Sequence, residues 1–121
     1  DARFAPVFGP GSRAEVALTG SAPDLPAGVT ISGRIDRLVV TPERVLVVDF
    51  KTGRRAPETA AEAPTYHLRQ MAAYRAALQR IAPGRPVRAL LVYTAGPSAI
   101  ILPDAMLDCA WGQIVSGPQS A

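Results

Sequence analysis

Asp36, Asp49 and Lys51 are the side chains in this chain whose types and spacing suggest chemistry. Asp49 and Lys51 stand two apart at the end of the nearly all-apolar run Arg44 to Phe50, which reads as a strand. Both therefore project from one face, with Val48 and Phe50 on the other. Asp36 belongs to a preceding strand, Ile31 to Val40, and Thr41-Pro-Glu-Arg44 reads as the hairpin turn, with Pro42 where a fixed φ is favoured. Pairing Val40 with Val45 then sets Asp36 opposite Asp49. Two carboxylates about 5 Å apart on facing strands repel, so the register makes sense when a cation lies between them. Two acids offer oxygen ligands and leave positions on Mg²⁺ for water and substrate, with Mn²⁺ as the alternative ion. A metal acidifies bound water and neutralises charge on a scissile phosphate, and a lysine alongside can orient or deprotonate that water. The set suits phosphodiester hydrolysis.

Lys51 is the only lysine among 13 basic residues. An ammonium can transfer a proton where a guanidinium stays protonated, so the exception is informative. Arg54 and Arg55 follow directly, and two readings stand side by side: ordinary solvated charge, or a pair gripping phosphates. His67, the only histidine, reads as a partly exposed helix residue rather than a ligand. Cys109 has no partner for a disulfide and reads as a small buried hydrophobe. At 121 residues, 48% hydrophobic and 19% charged, the chain fits one globular domain spanning 1–121. No apolar run approaches the ~20 residues of a membrane span and no signal-peptide layout is present, so a soluble cytoplasmic protein with no membrane partner is expected. A net charge of +3 permits an anionic partner. The chain has no Gly-x-x-x-x-Gly-Lys-Ser/Thr phosphate loop, so any ATP chemistry would belong to other domains.

These side chains need elements to hold them. Ala14 to Thr19 reads as a short first strand, with Glu15, Ala17 and Thr19 on one face and Val16 and Leu18 on the other. Gly20 to Gly28 is a connecting loop. The second hairpin strand is nearly all apolar, which suits a central strand covered on both faces by helices. Gly53 to Pro64 reads as a mobile surface loop, and Pro64 opens a helix running to about Ala82, stopped by Pro83-Gly84. His67, Met71, Tyr74, Leu78 and Ala82 cluster on one of its faces, with Gln70 at the rim, one turn from Tyr74 and in need of a polar partner. Strands follow at Pro86–Thr94 and Ser98–Leu102. A last helix from about Asp104 to Val115 should place Met106, Ala110 and either Trp111 or Ile114 against the sheet. The order gives an α/β fold with a mixed sheet, and the helix after the acid-lysine strand starts near it, its N-terminus suited to a phosphate.

Gly33-Arg-Ile-Asp36, Val48-Asp-Phe-Lys-Thr-Gly53 and Gln70-Met-Ala-Ala-Tyr74 together resemble the PD-(D/E)xK nuclease superfamily, and within it the RecB-like group with a Gln-x-x-x-Tyr helix. The opening, Val7-Phe-Gly-Pro10 and Ala14-Glu-Val-Ala-Leu18, is similar to the nuclease domain of AddA-type helicase-nucleases of bacterial double-strand-break repair. The resemblance implies a restriction-endonuclease-like mixed sheet flanked by helices. It implies Asp36 and Asp49 as metal ligands with the Phe50 carbonyl as a third, Lys51 as the catalytic lysine, Gln70 and Tyr74 as the helix motif lining the site, and Glu15 as an auxiliary acid. Mg²⁺ would be the cofactor, with no iron-sulfur cluster. The implied partners are single-stranded DNA ends, helicase domains of the same chain and an AddB-like second subunit. RecB-like nucleases usually carry a metal-binding histidine on a helix upstream, and no histidine precedes Asp36 here. We therefore expect a fragment of a larger helicase-nuclease, without that N-terminal helix. The competing readings are a catalytically incomplete DNA-binding or helicase-docking module of the same fold, and a purely structural α/β domain.

Overall fold

A computed structural model describes residues 11–52, 59–94 and 98–116. Strands β1 (Ser12–Gly20), β2 (Ile31–Val40) and β3 (Val45–Lys51) are followed by a 3₁₀ turn (Ala60–Glu62) and helix α1 (Thr65–Ile81). Strands β4 (Val87–Tyr93) and β5 (Ser98–Leu102) and helix α2 (Asp104–Val115) complete the elements among the described residues. The five strands form one mixed sheet in the order β1-β2-β3-β4-β5, with β3 and β4 parallel and the other neighbours antiparallel. The single parallel pair has a simple origin: α1 is the crossover that returns the chain to the start of β3 before β4 begins.

The central position expected for β3 is observed, and Val45 to Asp49 are all buried. Its turn is closed by Thr41, whose amide donates to the Arg44 carbonyl at 2.9 Å while its hydroxyl oxygen accepts the Arg44 amide at 3.1 Å. Val45 and Val47 belong to the main core with Met71, Tyr74, Ala77 and Leu78 of α1 and Leu107 and Ala110 of α2. Leu46, Val48, Val39 and Leu90 form a second cluster, and no described helix contributes to it. Both described helices thus pack on the α1 side of the sheet, where the apolar run of β3 had suggested one on each face. The α1 boundaries match expectation: the Pro64 carbonyl accepts from His67 and Leu68, and the Ala82 amide closes the last turn on Leu78.

Four local readings are corrected. β1 extends beyond Ala14–Thr19 at both ends because it pairs along nearly all of β2. Residues 60–62 of the presumed loop form a 3₁₀ turn. On α2 it is Leu107, not Met106, that is fully buried alongside Ala110. Cys109 is exposed, because the buried faces of α2 are already taken by Leu107 and Ala110. Among the described residues no helix is long and apolar enough to cross a membrane.

Candidate active site

The hairpin register is the expected one, from Val40↔Val45 to Arg37↔Val48, and its ladder stops one step short of Asp36 and Asp49. The β1–β2 ladder skips the same level: it pairs Ala14 with Arg37 and Val16 with Ile35, omitting Glu15 and Asp36. At this level β2 also exchanges faces. Strict alternation would put Ile35 and Val39 on one side, yet Ile35 lies in the main core, Val39 in the second cluster, and Leu38 packs on the main core. Glu15 takes up part of the irregularity with a left-handed φ of 53°. The hairpin register keeps Asp36 on the side of Asp49 and Lys51, and the exchange returns Ile35 to the core beside α1. Instead of a ladder bond, the Phe50 amide donates to the Asp36 carboxylate at 2.8 Å.

Asp49 is buried at the end of the central strand, and its Oδ2 is ion-paired with Lys51, whose side chain is 13% exposed. Burial raises the Asp49 carboxyl above the ordinary carboxylate range; the Lys51 ammonium opposes this and the adjoining Asp36 carboxyl adds to it. One ammonium thus stands against two carboxylates in a poorly solvated position. Two hard oxygen donors from neighbouring strands, short of one positive charge, fit a divalent cation of the Mg²⁺ class. Among the described residues no group of three or more His, Cys, Asp or Glu side chains converges, so further positions would fall to main-chain oxygens, water or substrate.

Helix α1 forms the adjoining wall. β3 is parallel to β4 with α1 as the crossover between them, and the middle of the helix, at Tyr74, meets β2. The N-terminus of α1 has no side-chain cap and no acid in its first turn, leaving its positive end unneutralised. Tyr74 is buried, and its hydroxyl donates to the Arg34 carbonyl at 3.3 Å; Gln70 Nε2 approaches that hydroxyl at 3.5 Å. Gln70 itself is exposed, so its amide finds a polar partner without being buried.

The structure therefore brings together Asp36, Asp49 and Lys51, with Phe50 between them in sequence, and connects Tyr74 and Gln70 to β2 two residues before Asp36. It does not bring the exposed Glu15 side chain into a metal-binding group with the two aspartates. Arg54 and Arg55 lie outside the described residues. His67 is 2% exposed rather than partly exposed, because it points with Met71 into the packed side of α1, its ring edge-on to Tyr66. Sequence reading gave no role to Gly33 or to the Arg34 carbonyl. A glycine inside a strand was the available signal, since it often marks close approach of another group.

Fold and site define an α/β protein with two acids and a lysine gathered at the end of its central strand. The chain belongs to the PD-(D/E)XK nuclease superfamily, whose family model matches residues 4–107, and its mixed five-stranded sheet is consistent with a restriction-endonuclease-like fold. Among solved structures it is similar to one described as "Crystal structure of SSO0001", at 17% identity and a TM-score of 0.49. That similarity covers 90% of this chain and 52% of the other, so the chain spans about half the length of that structure. No curated protein matches it.

Proposed function

We propose that the domain is a Mg²⁺-dependent deoxyribonuclease of RecB-like type, acting on single-stranded DNA ends as the exonuclease part of an AddA-like helicase-nuclease. The observation that carries the reading is the apposition of Asp36 and Asp49 across β2 and β3 with Lys51 ion-paired beside them. Asp36 and Asp49 would hold the ion, with the Phe50 carbonyl as a third oxygen. A bound Mg²⁺ would acidify water and neutralise charge on the scissile phosphate. Lys51 holds an ammonium against Asp49, where it can orient a water and hold or move a proton at Nζ. Gln70 and Tyr74 would line the approach to the site from the α1 side. Arg54 and Arg55, two and three residues beyond Thr52, would add phosphate contacts.

The test is degradation of an end-labelled single strand with Mg²⁺ and with EDTA, for the intact protein and for Lys51→Ala. We expect Mg²⁺-dependent cleavage that falls at least 100-fold in Lys51→Ala, with strand affinity within about twofold. Undiminished cleavage by Lys51→Ala would refute the assignment. Tight strand binding without cleavage in the intact protein would favour the DNA-holding module instead.

A further inference from the structure

We propose that Gly33 is a positioning residue for this site: its missing side chain is the seat of the Tyr74 ring, and that seat fixes α1 against β2 three residues before Asp36. The proposal rests on the reading of Asp36, Tyr74 and Gln70 as site residues. Backbone conformation does not explain this glycine, because the positive-φ glycines among the described residues are Gly11, Gly28 and Gly84. Space does. A Cβ on Gly33 would fall on the Tyr74 hydroxyl and lie 2.9 Å from Cε1 and 3.0 Å from Cζ, where carbons normally approach to about 3.5–4.0 Å. Gly20, the other strand glycine facing α1, would put its Cβ an ordinary 3.6 Å from Ala77. Of these two glycines facing α1, only Gly33 is tight against the helix.

The ring has little freedom to yield. Tyr74 is 6% exposed within the main core, and its hydroxyl is tied to the carbonyl of Arg34, the residue after the seat. Gly33 is itself paired with Leu18 in β1, so β2 does not yield either. A side chain at position 33 would push the ring away from β2, break its bond to Arg34 and carry Gln70 with it. Asp36 would lose its fixed relation to the helix wall while keeping its own bond to Phe50. Gly33 touches neither metal nor substrate in this scheme and acts through Tyr74.

A double-mutant cycle in the full chain tests this, with Gly33→Ala, Tyr74→Leu and the double variant compared by thermal unfolding and by turnover of a labelled single strand. Removing the ring removes the clash, so we expect Gly33→Ala to lower the Tm of the parent and to leave the Tm of Tyr74→Leu unchanged. At temperatures where it is folded, Gly33→Ala should lower kcat about tenfold with KM within about twofold, and should change neither in the Tyr74→Leu background. Equal Tm losses in the two backgrounds, or an unaltered kcat in folded Gly33→Ala, would overturn the proposal. If Gly33→Ala alone does not fold, the comparison of Tyr74→Leu with the double variant still reads the cost of the added methyl. If the parent itself does not cleave DNA, the nuclease reading fails while the Tm cycle still decides the seat.

Discussion

Asp36 contributes to stability with two opposite signs, and the variants Asp36→Asn and Asp36→Ala separate them. Its carboxylate accepts the Phe50 amide at 2.8 Å, and a bond of this charge-assisted kind contributes about 1.5–3 kcal/mol, with a stranded N–H as the penalty for removing it. Its charge also adds to the raised proton affinity of Asp49, a like-charge opposition of up to about 1 kcal/mol on facing strands. Asparagine keeps an acceptor, at about 0.5–1.5 kcal/mol, and removes the repulsion, so Asp36→Asn should lie within about 1 kcal/mol of the parent. Alanine removes both, so Asp36→Ala should be destabilised by about 1–2 kcal/mol. Urea unfolding followed through Trp111, the single tryptophan and half-buried on α2, measures this directly. Repeating the titration with Mg²⁺ at ten times its Kd should stabilise the parent by about 1.4 kcal/mol and neither variant. If both variants lose the same stability without Mg²⁺, the Phe50 bond is not what Asp36 contributes; if Mg²⁺ stabilises Asp36→Asn like the parent, Asp36 is not a ligand.

Asp49 binds its proton more tightly in the folded protein, so metal-free stability should fall as pH rises from about 3.9, the unfolded value, through the raised folded value. Asp49→Asn should lack that slope in urea titrations across acidic pH; a parent whose stability instead rises over this window relative to Asp49→Asn would show that Lys51 outweighs burial. Met71 is fully buried at the centre of the α1 face, so Met71→Ala should cost about 2–5 kcal/mol by the same unfolding assay, and a loss below 1 kcal/mol would contradict the packing. Cys109 is exposed and should react with one equivalent of a thiol reagent in the folded state, at a rate unchanged by mild urea.

The hairpin was legible in the sequence because two independent signals agreed. Thr41-Pro-Glu-Arg44 set the turn, and the apolar residues of β2 and β3 set the same register. The α1 boundaries were legible for the same reason, with Pro64 and Pro83-Gly84 bracketing a continuous period. The exchange of faces at Asp36 was not, since alternation is a local rule and the gap arises only where β1, β2 and β3 meet at one level. His67 and Cys109 were misplaced by residue-type averages, which cannot say which side of a helix its neighbours occupy. Gly33 escaped because its partner is 41 residues away on another element.

The departures from regular structure fall together. Glu15 is left-handed, a strain of about 1–2 kcal/mol for a residue with a Cβ. Two ladders miss the same step, and two like charges adjoin there. A regular β2 could not do what this one does. With Ile35 kept in the core beside α1, alternation would turn Asp36 to the opposite face from Asp49, and no cation could meet both. With Asp36 kept beside Asp49, Ile35 would leave the core and Gly33 would turn away from Tyr74. Only a switch of faces between Ile35 and Asp36 satisfies the helix seat and the acid pair at once. The strain at Glu15 and the missing ladder bonds are therefore the local cost of building one strand that serves both.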